Sequence, residues 1–136
     1  MNNDNRWKQR FQNFEKAYEV FKRRIDDYEK DNDNEAYTMS LIQAFEMVQE
    51  LSWKVLKDYL ENEGYDDVKN PKKVMRTAFQ DELITNHAET WMQSIENRNL
   101  TTHTYDNDTL NKILDFIDKA FQFALRDLYD QLKKEL

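Results

Sequence analysis

Apolar side chains recur along this chain at intervals of three and four, the spacing that gathers them on one face of an α-helix. Trp7, Phe11, Phe14, Tyr18, Phe21, Ile25 and Tyr28 form the first stripe, which predicts a long helix with an aromatic inner face. The polar run Lys30-Asp31-Asn32-Asp33-Asn34 ends it and supplies caps for the next helix. Leu41, Phe45, Val48, Leu51, Val55 and Tyr59 form a second stripe, predicting a helix from about Glu35 to Glu63. Gly64 follows at the place where a helix end commonly needs a positive φ. After a loop over 65–70, Asn70-Pro71 opens a short third helix with Val74, Ala78 and Phe79 inward. Asparagine suits its cap, and proline suits a first turn whose N–H has no partner in any case. Asn86-His87-Ala88-Glu89 reads as a capping box for a fourth helix that turns Trp91, Met92 and Ile95 inward. The pattern breaks into a polar stretch over 97–105. A last helix then begins near Asp106–Thr109 and carries Leu110, Ile113, Leu114, Ile117, Phe121, Ala124, Leu128 and Leu132 inward. The expectation is one all-α domain over residues 1–136, an up-and-down bundle of about four long helices and one short one.

Composition narrows the chemistry. The 136 residues include one glycine, one proline and no cysteine. A β-rich fold spends glycine and proline at its turns, and a phosphate cradle needs several glycines, so both are excluded. Disulfides, thiolate metal sites and cysteine nucleophiles are excluded as well. A chain of this length buries roughly two-thirds of its unfolded surface, enough for one apolar core.

The formal net charge is −7, which opposes broad, non-specific binding to nucleic acid. Its distribution is uneven. Residues 1–30 hold eight Lys or Arg against six Asp or Glu, whereas residues 31–65 hold two against eight. A polyanion is therefore expected to prefer the first helix, around Arg6, Lys8, Arg10 and Lys22-Arg23-Arg24. The opening Met1-Asn2-Asn3-Asp4-Asn5 lacks the apolar core of a signal peptide, and no apolar run approaches membrane-spanning length. A soluble, cytoplasmic protein is the expectation.

Few residues offer chemistry. Asp31-Asn32-Asp33-Asn34-Glu35 resembles the start of a calcium loop, but Ala36 stands where glycine is required and Ile42 where glutamate is. Asp106 and Asp108 flank a helix start, where the helix dipole favours carboxylates. No metal or cofactor is expected. Of the two histidines, His87 reads as an exposed helix-start residue. His103 belongs to the polar octet Arg98-Asn99-Leu100-Thr101-Thr102-His103-Thr104-Tyr105, set between two helices. A guanidinium presents a planar fork to phosphate oxygens, and an imidazole moves protons near neutral pH. The pair is a minimal kit for cleaving RNA without metal: arginine for the charge on phosphorus, histidine for the proton on the ribose 2′-oxygen or the leaving oxygen. The same residues also fit ordinary roles. Arginine in a last helical turn meets the negative dipole end, histidine and threonines cap the next helix, and Tyr105 packs beside it.

The octet resembles the Arg-(four residues)-His motif of the HEPN superfamily of small helical bundles, which includes many RNases. Arg98-Asn99 followed by His103-Thr104-Tyr105 is similar to the Arg-Xaa4-His-Xaa-Tyr form in HEPN partners of minimal nucleotidyltransferases. The stretch from Asn70-Pro71-Lys72-Lys73 through Arg98-Asn99-Leu100-Thr101 to Tyr105-Asp106 resembles the branch called nucleotidyltransferase substrate-binding proteins. The resemblance implies a homodimer whose two Arg–His motifs line a shared cleft. It gives Arg98 the phosphate role, His103 the proton-transfer role and Asn99 an orienting role. It further implies a toxin that cleaves RNA, neutralised by a nucleotidyltransferase antitoxin that transfers nucleotide from ATP onto Tyr105. Two other readings stay open: a non-catalytic subunit presenting substrate to a nucleotidyltransferase, and a helical adaptor whose first-helix stripe docks a partner helix.

Overall fold

The computed structural model describes residues 3–136; Met1 and Asn2, the start of the polar N-terminal stretch, lie outside them. The described residues form helices without strands: α1 (Asn3–Lys30), α2 (Glu35–Asn62), α3 (Pro71–Gln80), α4 (Ala88–Leu100), α5 (Asn107–Phe116) and α6 (Gln122–Lys134). A 3-10 turn (Thr101–His103) follows α4, and a π turn (Ile117–Phe121) joins α5 to α6. The expected all-α bundle is thus the observed fold.

The helix boundaries follow from their caps. Asn34 accepts from the Tyr37 N–H at 3.1 Å, Asn70 from Lys73 at 2.9 Å and Asp106 from Thr109 at 3.0 Å. Each satisfies a donor that the first turn leaves without a helical acceptor. Gly64 takes φ 101° after α2, as expected. The capping box at Asn86–Glu89 does not form. The helix starts one residue later than the pattern suggests, at Ala88, and its cap is His87 at φ 68° with no side-chain cap bond. That shift moves Asn86 out of the capping position, and Glu89 accepts from Gln93 instead, at 3.4 Å.

The first stripe lands as its spacing requires, with Trp7, Phe11, Phe14, Tyr18, Phe21 and Ile25 all buried. They face Leu41, Phe45, Val48, Val55 and Leu56 of α2, which a short turn returns antiparallel to α1. Phe121 lies at the centre. Its ring meets Phe45 at 4.8 Å, Trp91 at 5.5 Å and Phe21 at 5.7 Å, all edge to face, so α1, α2 and α4 converge on one side chain. Aromatic pairs prefer this offset because the ring edge is positive and the face negative.

The last stripe hides an irregularity. Ile113, Ile117, Phe121 and Leu125 are buried at steps of four, and in a regular α-helix such steps drift by about 40° each because a turn holds 3.6 residues. The π turn, bonded from i to i+5, holds more than four residues and absorbs that drift.

The basic surface expected on α1 is corrected by pairing across helices. Arg10 Nε binds Asp58 of α2 at 2.9 Å, and Arg6 reaches Glu61 at 3.3 Å. Asp58 is only 3% exposed, so its charge is held by these arginines. Lys8, Lys22 and Arg24 pair with Asp4, Glu19 and Asp27 on their own helix. Of the cations named, Arg23 alone has no ion pair among the described residues, so the basic surface of α1 is much reduced.

Candidate functional site at the end of α4

Polar rungs in the core bring α4 against α2. Gln49 Nε2 of α2 lies 3.5 Å from Ser94 Oγ, and that hydroxyl donates to the Trp91 carbonyl at 2.6 Å. Gln49 and Ser94 are buried. One turn toward the C-terminal end of α4 stands the next rung: Arg98 Nη1 donates to Glu46 Oε2 at 3.3 Å. Thr101 completes it, its hydroxyl 2.9 Å from the same Glu46 oxygen and 2.7 Å from the Arg98 carbonyl. Arg98 is therefore oriented by a carboxylate fifty-two positions earlier in the chain, a partner that the octet does not contain.

The guanidinium is only partly used. Nη1 is bound to Glu46 and within 3.4 Å of the Thr101 hydroxyl, while Nε is shielded from solvent without an acceptor. Glu50, one turn further along α2, also senses it. Burial pushes the Glu50 carboxyl up, but hydrogen bonds from Trp53 and Lys54 and the charges of Lys54 and Arg98 outweigh burial and hold it below its ordinary range.

Beyond Arg98 the chain tightens into the 3-10 turn and then reverses into α5. The Asp106 N–H donates to the His103 carbonyl at 3.1 Å, fixing the bend. His103 and Tyr105 are exposed, Tyr105 to 83%. Their side chains meet: His103 Nδ1 lies 3.2 Å from Tyr105 Oη, with the rings 5.8 Å apart at 74°. Asp106, the nearest carboxylate in sequence, is occupied by the Thr109 hydroxyl and N–H, which hold it below its ordinary range. Asn99 is exposed; its carbonyl accepts from the Thr102 hydroxyl at 3.4 Å, and its side chain makes no hydrogen bond among the described residues.

The octet thus forms two pairs, Arg98 with Glu46 and His103 with Tyr105, on one bend; no hydrogen bond joins Arg98 to His103 among the described residues. His87 stands apart at the other end of α4. It is half-buried rather than exposed, with Nε2 2.8 Å from Asp127 of α6. No group of three or more His, Cys, Asp or Glu able to hold a metal occurs among the described residues. Nor is any helix there long and apolar enough to cross a membrane.

Arg98 thus lies in the last turn of α4 and His103 on the 3-10 turn that follows, within an all-helical bundle. Over residues 9–134 the sequence matches the family described as nucleotidyltransferase substrate binding protein like, and the chain belongs to that family. No curated protein matches the chain.

Proposed function

We propose that this protein is a metal-independent endoribonuclease of the HEPN type, acting as the toxin of a pair whose antitoxin is a minimal nucleotidyltransferase. The observation that carries the reading is a part-free guanidinium in the last turn of α4 and an exposed imidazole on the 3-10 turn that follows it. In the reaction, the ribose 2′-oxygen attacks the adjacent phosphorus and the bond to the 5′-oxygen breaks. His103 takes the 2′ proton, or returns one to the departing 5′-oxygen, and a 2′,3′-cyclic phosphate and a 5′-hydroxyl result. Arg98 meets the charge that gathers on the phosphoryl oxygens, as a preorganised donor should. A second copy facing this bend would close the exposed Tyr105 and His103 into a cleft and supply a second histidine for the opposite proton. Tyr105, 83% exposed, is open to nucleotidylation: its oxygen attacks the α-phosphorus of ATP, pyrophosphate leaves and the phenolic proton is lost. The added phosphate and bulk beside His103 then obstruct RNA.

A second reading is a non-catalytic subunit that holds a nucleotide for the nucleotidyltransferase. The net charge of −7 favours it, since an unaided nuclease gains from a basic groove. A cleft of about 350 Å³ between α4 and α5, lined by Lys112 and Lys119 as well as Glu96 and Asp115, is a place for such a ligand.

The deciding experiment is RNA cleavage by purified protein in EDTA, wild type beside His103→Ala and Arg98→Ala, with helicity checked by circular dichroism. Cleavage by the wild type alone supports the ribonuclease. Folded wild type that binds nucleotide yet leaves several RNA classes intact supports the binding subunit.

A further inference from the structure

We infer that Tyr105 is a positioning residue for His103: its oxygen holds the imidazole proton on Nδ1 and so makes Nε2 the nitrogen that exchanges protons. The inference rests on the ribonuclease reading and deepens it: the geometry gives the pair, and the reaction gives the direction of its bond. His103 has one side-chain hydrogen-bond partner among the described residues, the Tyr105 hydroxyl at 3.2 Å from Nδ1. No hydrogen bond to Nε2 occurs among the described residues. The bond the one nitrogen makes decides which nitrogen carries the proton.

The partner usually found behind a working imidazole is a carboxylate. The nearest candidate in sequence, Asp106, is engaged as the cap of α5 by Thr109, and Glu46 is engaged by Arg98 and Thr101. A tyrosine therefore takes the position. The two side chains meet across Thr104, which follows the 3-10 turn at φ −71°, ψ −7°.

The direction of the bond follows from the chemistry required. An imidazole that accepts a proton must have Nε2 bare, and so carries its proton on Nδ1. An imidazolium that donates from Nε2 also carries one on Nδ1. In both states Nδ1–H donates to Tyr105 Oη, so the tyrosine accepts throughout and turns its own proton to solvent. Donation from tyrosine to Nδ1 would leave the proton on Nε2, where a neutral imidazole is not a base. A nucleotidyl ester on the same oxygen would make it a poorer acceptor, so the modification would act on His103 directly as well as by bulk.

Nitrogen chemical shifts of His103 in the full-length protein at pH 8, from long-range proton–nitrogen correlation, test this in wild type and Tyr105→Phe. The phenylalanine keeps the ring, and a residue this exposed does not carry the fold. Wild type is expected to show Nδ1–H, and Tyr105→Phe to shift toward Nε2–H, the form favoured by imidazole in water. In parallel, kcat for RNA is expected to fall about tenfold, the equivalent of about 1.4 kcal/mol, with KM within about twofold. An Nε2–H wild type, identical shifts in both proteins, or an unchanged kcat in a protein that cleaves RNA overturns the inference. Absence of cleavage by the wild type overturns the ribonuclease reading alone, and the nitrogen shifts still decide this one.

Discussion

Both histidines stand at ends of the same helix, α4, and their surroundings differ in kind. At the N-terminal end His87 is pinned: its backbone is in the left-handed region, its ring is half-buried, and its Nε2 is bound to Asp127 of α6. At the C-terminal end His103 is exposed, bound only through Nδ1 to a tyrosine, with Nε2 open. The first histidine ties the start of α4 to α6 through Nε2. The second joins nothing distant, and no hydrogen bond to its Nε2 occurs among the described residues. Residue type alone does not separate a clamp from a proton carrier; the group on the far nitrogen does.

The largest effect is expected from exchanging the two in a mutational pair. His103→Ala should lower RNA cleavage by about 10²–10⁴-fold, the usual worth of a positioned acid or base, with no change in melting temperature. His87→Ala should leave cleavage within about twofold while costing stability of order 0.5–1 kcal/mol, as expected for a solvent-screened pair, read by urea denaturation. Equal losses of cleavage in the two variants would erase the distinction.

A smaller effect is expected from the rung that sets α4 against α2. Ser94→Ala removes the oxygen beside Gln49 Nε2 and leaves a buried donor unpaired, at a cost of about 1–3 kcal/mol. Because the next rung holds Arg98, this variant should also slow cleavage, whereas His87→Ala should not.

The smallest effect concerns acid. The Glu50 carboxyl is held below its ordinary range, so it binds protons less readily folded than unfolded. Its stabilising contribution is complete at neutral pH and is lost as pH falls through the ordinary carboxylate range and below. Melting temperature should therefore drop with acid, and Glu50→Gln should flatten part of that drop. An identical acid profile in the two proteins would refute the assignment.

The helices were legible because their information is local. The stripe from Trp7 to Ile25 and the caps at Asn34, Asn70 and Asp106 depend on residues within a turn or two. That Arg98 falls at a helix end and His103 on the bend after it followed from the octet's place between two helical patterns. Glu46 did not, because in sequence it is one more glutamate on a solvent-side face and becomes a partner only when α2 meets α4. The basic look of α1 is weakened for the same reason, since Asp58 and Glu61 pair with Arg6 and Arg10 from another helix. At Asn86–Glu89 a capping motif was present in letters, but the helix began one residue on.

The wide turn at Ile117–Phe121 has a consequence for how this chain tolerates change. It sets the phase between α5 and α6, so the two halves of the rod turn their apolar sides to the core independently. Removing one residue there would rotate everything beyond it by about 100°, swinging Leu125, Leu128 and Leu132 out toward water together. The C-terminal rod should accept many exchanges of side chain and hardly any change of length.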